Sequence, residues 1–80
     1  MKKLSHKNVL YLDSEALKMI NYDEALKILE VTFNNNRTYQ YKNVPENIWE
    51  DFLDVIRSNQ SAGAFINQQI KPFYKWIEIS

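Results

Sequence analysis

Tyr39 and Tyr41 set two phenol rings two residues apart, with Arg37 and Lys42 on either side. Side chains two apart on a strand share a face. Such a pair beside cations has the make-up of a platform on which single-stranded bases stack while phosphates are held. A second cluster, Lys71-Pro72-Phe73-Tyr74-Lys75-Trp76, interleaves base and aromatic, which suits a phosphate backbone flanked by unstacked bases and equally a protein hot spot. Ser61-Ala62-Gly63 stands where a helix would open. Free backbone N–H groups there could take a phosphate, with Arg57 and Lys71 as helpers.

Each has a plainer structural reading, and we weight that reading more heavily. Tyr39 and Tyr41 align with Leu29, Val31 and Phe33, so both rings are expected in the core with hydroxyls at its rim. The cluster from Lys71 to Trp76 can be packing plus charge compensation at a helix C-terminus. Ser61 can cap a helix, the absent side chain of Gly63 can let that helix approach a sheet, and Asn67 can be a satisfied buried amide.

Catalytic readings fail on inventory. The single histidine, His6, sits in a polar N-terminal stretch, and with no cysteine there is neither a thiol nucleophile nor a thiolate metal site. Glu46, Glu50, Asp51 and Asp54 are spaced along one helix and could pair as acid and base or hold a hard cation. A solvated helix face is the simpler account. We expect no enzyme activity, no catalytic residues, no metal and no cofactor.

The elements that must position these residues are read from patterning. Leu29-Glu30-Val31-Thr32-Phe33 alternates strictly, Asn34-Asn35-Asn36 suits a hairpin turn, and Arg37 to Lys42 alternates again. After Pro45, expected at the first helical position, Ile48, Trp49, Phe52, Leu53 and Ile56 trace one helical stripe. Ala62, Phe65, Ile66, Ile70 and Phe73 trace another behind Ser61, ending near Lys71 because Pro72 follows. Val9 to Leu12 can add an edge strand, and Lys75 to Ile79 a final one. Between Ser14 and Leu29 propensity favours helix, with Asp and Ser as caps.

The totals bound the answer. Eighty residues make one domain, spanning 1–80 with 1–8 as a mobile lead-in. Ten basic and ten acidic residues cancel, so any nucleic-acid or anionic-surface binding must be local. Lys2 and Lys3 lead into no apolar h-region, and no stretch approaches a membrane span, which points to a soluble cytoplasmic protein. Abundant Asn, Lys and Ile suit an AT-rich bacterial or viral genome.

Tyr22-Asp23, Leu29 to Phe33, Tyr39-Gln40-Tyr41, Val44-Pro45 and Ser61-Ala62-Gly63-Ala64-Phe65-Ile66-Asn67, with Ile70 and Tyr74 behind, resemble the KTSC domain over Ser14 to Tyr74. That module is named from the C-terminal extension of some lysyl-tRNA synthetases and also stands alone in bacterial and phage proteins. The resemblance implies that Leu17, Ile20 and Tyr22 lie on a strand, overruling helical propensity, and that Asp23 to Lys27 form a hairpin loop. Glu24-Ala25-Leu26-Lys27 departs from the Pro or Gly usual there, which leaves that turn's shape open. RNA binding is suggested by the synthetase context.

The expected architecture is therefore α+β, a small antiparallel meander sheet of three to four strands with two helices packed on one face. The expected function is non-catalytic binding of RNA, single-stranded nucleic acid or a nucleotide through Arg37, Tyr39, Tyr41, Lys42, Ser61, Lys71, Tyr74, Lys75 and Trp76. The alternative is a protein-interaction module, such as a phage or mobile-element factor that binds a host protein.

Overall fold

Alternation from Leu29 to Phe33 produces the middle strand of the sheet, and its neighbours are recruited by matching apolar positions. In the computed structural model, which describes residues 9–12 and 16–79, the strands are β1 (Leu10–Tyr11), β2 (Leu17–Asp23), β3 (Ile28–Phe33), β4 (Thr38–Tyr41) and β5 (Trp76–Glu78). They form one antiparallel sheet in the order β1-β2-β3-β4-β5. Five strands replace the expected three to four, because both short edge segments pair with the meander. The polar lead-in with His6, and the caps expected at Asp13 and Ser14, lie outside the described residues.

Leu17, Ile20 and Tyr22 are fully or almost fully buried on β2, so tertiary burial overrides the helical propensity of that stretch. Helix formers survive only in the loop. There the Asp23 carboxyl accepts the Leu26 N–H at 2.9 Å, and Lys27 takes φ 55° to re-enter the sheet. The asparagine run makes the next hairpin, with Asn36 at φ 67° and its N–H donating to the Phe33 carbonyl at 2.9 Å.

Register sorts the side chains into two faces. Leu29 lies opposite both Tyr22 and Tyr41, and Val31 lies opposite both Ile20 and Tyr39, so these residues share one face. On the other face Glu30 lies between Asn21 and Gln40. Alternation marks Glu30 for solvent, yet it is only 3% exposed, and the Gln40 amide donates to its carboxyl at 3.0 Å. Thr32 and Thr38 join hydroxyls at 2.9 Å beside them. Hydrogen bonding is what makes a buried polar row tolerable.

The apolar face is covered by two helical segments. α1 (Glu46–Arg57) buries Trp49 and Phe52, and Trp49 stacks on Tyr22 at 5.2 Å between centroids. Pro45 is the N-cap rather than the first helical residue, since its ψ of 157° is extended. Asn59, at φ 62°, closes α1. Its N–H donates to Ile56 O at 3.2 Å and the Gln60 N–H to Val55 O at 3.0 Å, the two bonds of a Schellman stop.

α2 (Ala62–Phe65) starts where Ser61 Oγ accepts the Ala64 N–H at 3.1 Å, and Phe65 stacks on Phe52 at 5.0 Å. It then widens into a π turn, Ile66–Ile70, in which the Lys71 N–H donates to Ile66 O at 2.9 Å. Ile66 and Ile70 are both fully buried. Phe73, expected on the same face, is 69% exposed, because the chain has already turned away from the helix there.

Gly63 fixes how closely this segment lies on the sheet. A Cβ at that position would sit 2.9 Å from the Cβ of Ala16, nearer than two such carbons can stand. Gly63→Ala should lower stability by about 1–2 kcal/mol in urea unfolding, overpacking outweighing the gain in helix propensity. Ala16→Gly in that background should recover most of the loss, since the clash needs both methyl groups. Independent, additive losses would disprove the contact.

Candidate functional site

The helices cover Leu17, Ile20, Tyr22, Leu29, Val31 and Tyr41 but leave the neighbouring end of the same face less covered. That end carries Phe33, Tyr39 and Trp76, one aromatic from each of β3, β4 and β5. Tyr39 meets Phe33 at 5.6 Å and Trp76 at 5.2 Å between centroids, and both neighbouring rings stand nearly perpendicular to it, at 78° and 84°. These edge-to-face contacts are favourable and hold the ladder in place.

A cleft of about 500 Å³ lies over this ladder, lined by Phe33, Tyr39, Tyr41 and Trp76 with Lys71, Asn34, Asn35 and Ala16. Such a volume is that of a small-ligand site. Among the described residues Lys71 is its charged residue, delivered by the π turn, and its ammonium sits 5.6 Å from the centre of the Phe33 ring. Trp76 is 52% exposed.

Next to the ladder, Arg37 reaches Glu78 at 4.0 Å. Its guanidinium is held above its ordinary pKa first by a hydrogen bond with the Tyr39 side chain and then by the Glu78 carboxyl. Arg37 thus has an anionic partner already, whereas among the described residues Lys71 meets a ring and no carboxylate.

The two tyrosines expected together in the core have separated roles. Tyr41 is 1% exposed, and burial, with a smaller contribution from Tyr39, pushes its phenol up to about 12. Tyr39 is only half-buried and belongs to the cleft ladder. Tyr22 is a third, wholly structural phenol. Its hydroxyl donates to the Val44 carbonyl at 2.6 Å, and burial leads the causes that raise its pKa.

Of the residues read from sequence as a binding set, Tyr39, Tyr41, Lys71 and Trp76 line the cleft and Arg37 borders it. The others lie elsewhere. Lys42 follows Tyr41 and so starts toward the opposite face, its N–H donating to Lys75 O at 2.8 Å. Ser61 caps α2 and lines a separate groove of about 460 Å³ with Ile48, Asp51, Phe65 and Gln68. Tyr74 packs against the core, and Lys75 is exposed one residue before Trp76, on the opposite side of the chain's alternation. Asn67 is exposed rather than buried. Phe33, Asn34 and Asn35 were missed as lining residues. That Phe33 shares a face with Tyr39 was visible in the alternation, but not how far the helices reach nor that the Asn34-Asn35 turn borders the cleft.

The acidic residues of α1 remain on its exposed side, where Asp54 and Arg57 approach to 3.8 Å. Among the described residues there is no group of three or more His, Asp or Glu placed to hold a metal, and no helix long and apolar enough to cross a membrane.

A five-stranded antiparallel meander with two helical segments on one face, and an aromatic cleft where their cover ends, defines a small α+β domain. Residues 13–74 match the KTSC domain, and the chain belongs to that family. It superposes with a TM-score of 0.80 on the crystal structure of a KTSC domain protein from Yersinia pestis, 29% identical, covering 91% of this chain and 97% of that one. A protein of Tsukamurella paurometabola is 31% identical over 68 residues, 85% of this chain and 96% of its own. An uncharacterized protein of Stutzerimonas stutzeri is 34% identical over 61 residues, covering 76% and 80%.

Tyr41 gives a pH test. Its folded-state pKa of about 12 lies above the ordinary 10.0, so its contribution to stability is complete below pH 10.0 and is lost as pH rises through about 12. Urea midpoints should fall across that window, and fall less in Tyr41→Phe. An identical pH profile in the variant would remove Tyr41 as the cause.

Proposed function

We propose that this KTSC domain is a non-catalytic binding module for RNA, single-stranded nucleic acid or a nucleotide, acting through the cleft over Phe33, Tyr39 and Trp76. The observation that supports it most is the half-exposed Trp76 in one cleft with a lysine whose ammonium lies over the Phe33 ring. An aromatic surface with a cation at its edge matches a base joined to a phosphate. The neutral net charge leaves no long-range field, so recognition would be confined to the cleft. The synthetase setting from which the family takes its name is consistent with an RNA ligand.

A protein-interaction role is the second reading. β5 is an edge strand, and Phe73 and Trp76 are both exposed near it, which suits strand addition by a partner polypeptide. On this reading the module occupies a host protein.

Titration with short single-stranded RNA, followed by tryptophan fluorescence at low salt, separates the two. Binding should weaken linearly in log–log form as salt rises, with a slope of about −0.7 for each phosphate neutralised. No fluorescence change with any oligonucleotide or nucleotide at low salt would exclude the nucleic-acid reading and leave the protein one.

A further inference from the structure

We infer that the cleft takes one unpaired nucleotide of a single strand and selects for the absence of pairing, not for base identity: the base stacks on Trp76 and the adjoining phosphate meets Lys71. This rests on the nucleic-acid reading above and narrows it to a ligand class and a selection rule.

Size comes first. About 500 Å³ over three strands accommodates a nucleotide, and its floor is the Phe33–Tyr39–Trp76 ladder. A duplex presents its bases stacked and edge-on, so no base face can reach the half-exposed indole unless the pair opens.

Charge comes second. Among the described residues Lys71 is the charged group of the lining, and one ammonium matches the charge of one phosphodiester. Arg37 is already engaged by Glu78, and alternation turns Lys42 and Lys75 away. A triphosphate would therefore bring several negative charges to one ammonium.

The polar lining argues against reading of bases. The Asn35 amide oxygen accepts the backbone N–H of Arg37 at 3.0 Å, which orients that amide toward its own turn. The bidentate amide contact that recognises adenine needs both its oxygen and its nitrogen. The most open surface of the lining is the π-face of the half-exposed indole, which every base can use.

The test uses the full chain with oligoadenylate, oligouridylate, duplex RNA of equal length and adenosine monophosphate, read by quenching of Trp76. Trp49 is 6% exposed and serves as the internal constant. Both single strands should bind within a few-fold of each other, and duplex at least about tenfold more weakly. Trp76→Ala should weaken single-strand binding about 10- to 100-fold, read by oligonucleotide anisotropy, while Trp76→Phe retains most of it. Lys71→Gln should make the log–log salt slope shallower by about 0.7, the loss of one phosphate contact. Equal melting temperatures for the variants and the parent confirm that fold is unchanged.

Duplex bound as tightly as single strand, or one homopolymer strongly preferred, would overturn the selection rule while nucleic-acid binding stands. An unchanged salt slope in Lys71→Gln would overturn the phosphate assignment alone. Absence of binding to every probe would remove the nucleic-acid reading itself.

Discussion

The contact between Gly63 and Ala16 limits how closely the helical layer can meet the sheet, because a Cβ on Gly63 would fall 2.9 Å from that of Ala16. A larger residue at either position would lift α2 and with it Phe65, Ile66 and Ile70, which fill the core against Phe52 and the strands. The same contact stands at the edge of the cleft. Ala16 lies at the boundary, lining the cleft while excluding a side chain from α2. Core and candidate site are thus two sides of one packing constraint.

Much of this could be read from residue order. Strict alternation from Leu29 to Phe33 and from Arg37 to Lys42 marked the central hairpin, and the stripe from Ile48 to Ile56 marked α1. Ser14 to Leu29 could not be settled by local rules, because its helical propensity is worth tenths of a kcal/mol per residue while burying Leu17, Ile20 and Tyr22 is worth roughly 1.5–3 kcal/mol for each aliphatic side chain. Family resemblance resolved it. The π turn was invisible, since Ile66 and Ile70 show the four-residue spacing of an ordinary helix.

The cleft was half legible. Composition found Tyr39, Lys71 and Trp76 but could not bring them together, because Trp76 reaches the ladder only when β5 returns beside β4. Phe33 looked like core by the same alternation that placed Leu29 and Val31 there. Lys42 and Lys75 looked like partners of the rings because they are adjacent in sequence, and adjacency on a strand puts neighbours on opposite faces. Glu30 failed the other way. Alternation says which face a residue takes and is silent on whether that face is wet.

The π turn also limits how this domain can diverge. One residue gained or lost just after Ile70 would rotate the following side chain about 100° around the helix axis while Ile66 and Ile70, upstream of the change, keep their places. Small changes of length at this spot would then swap which side chain overhangs the aromatic ladder with little effect on the scaffold. Relatives sharing the architecture could in this way carry an amide, an acid or nothing where this chain has an ammonium, so common ancestry in the sheet and helices does not by itself carry a common ligand.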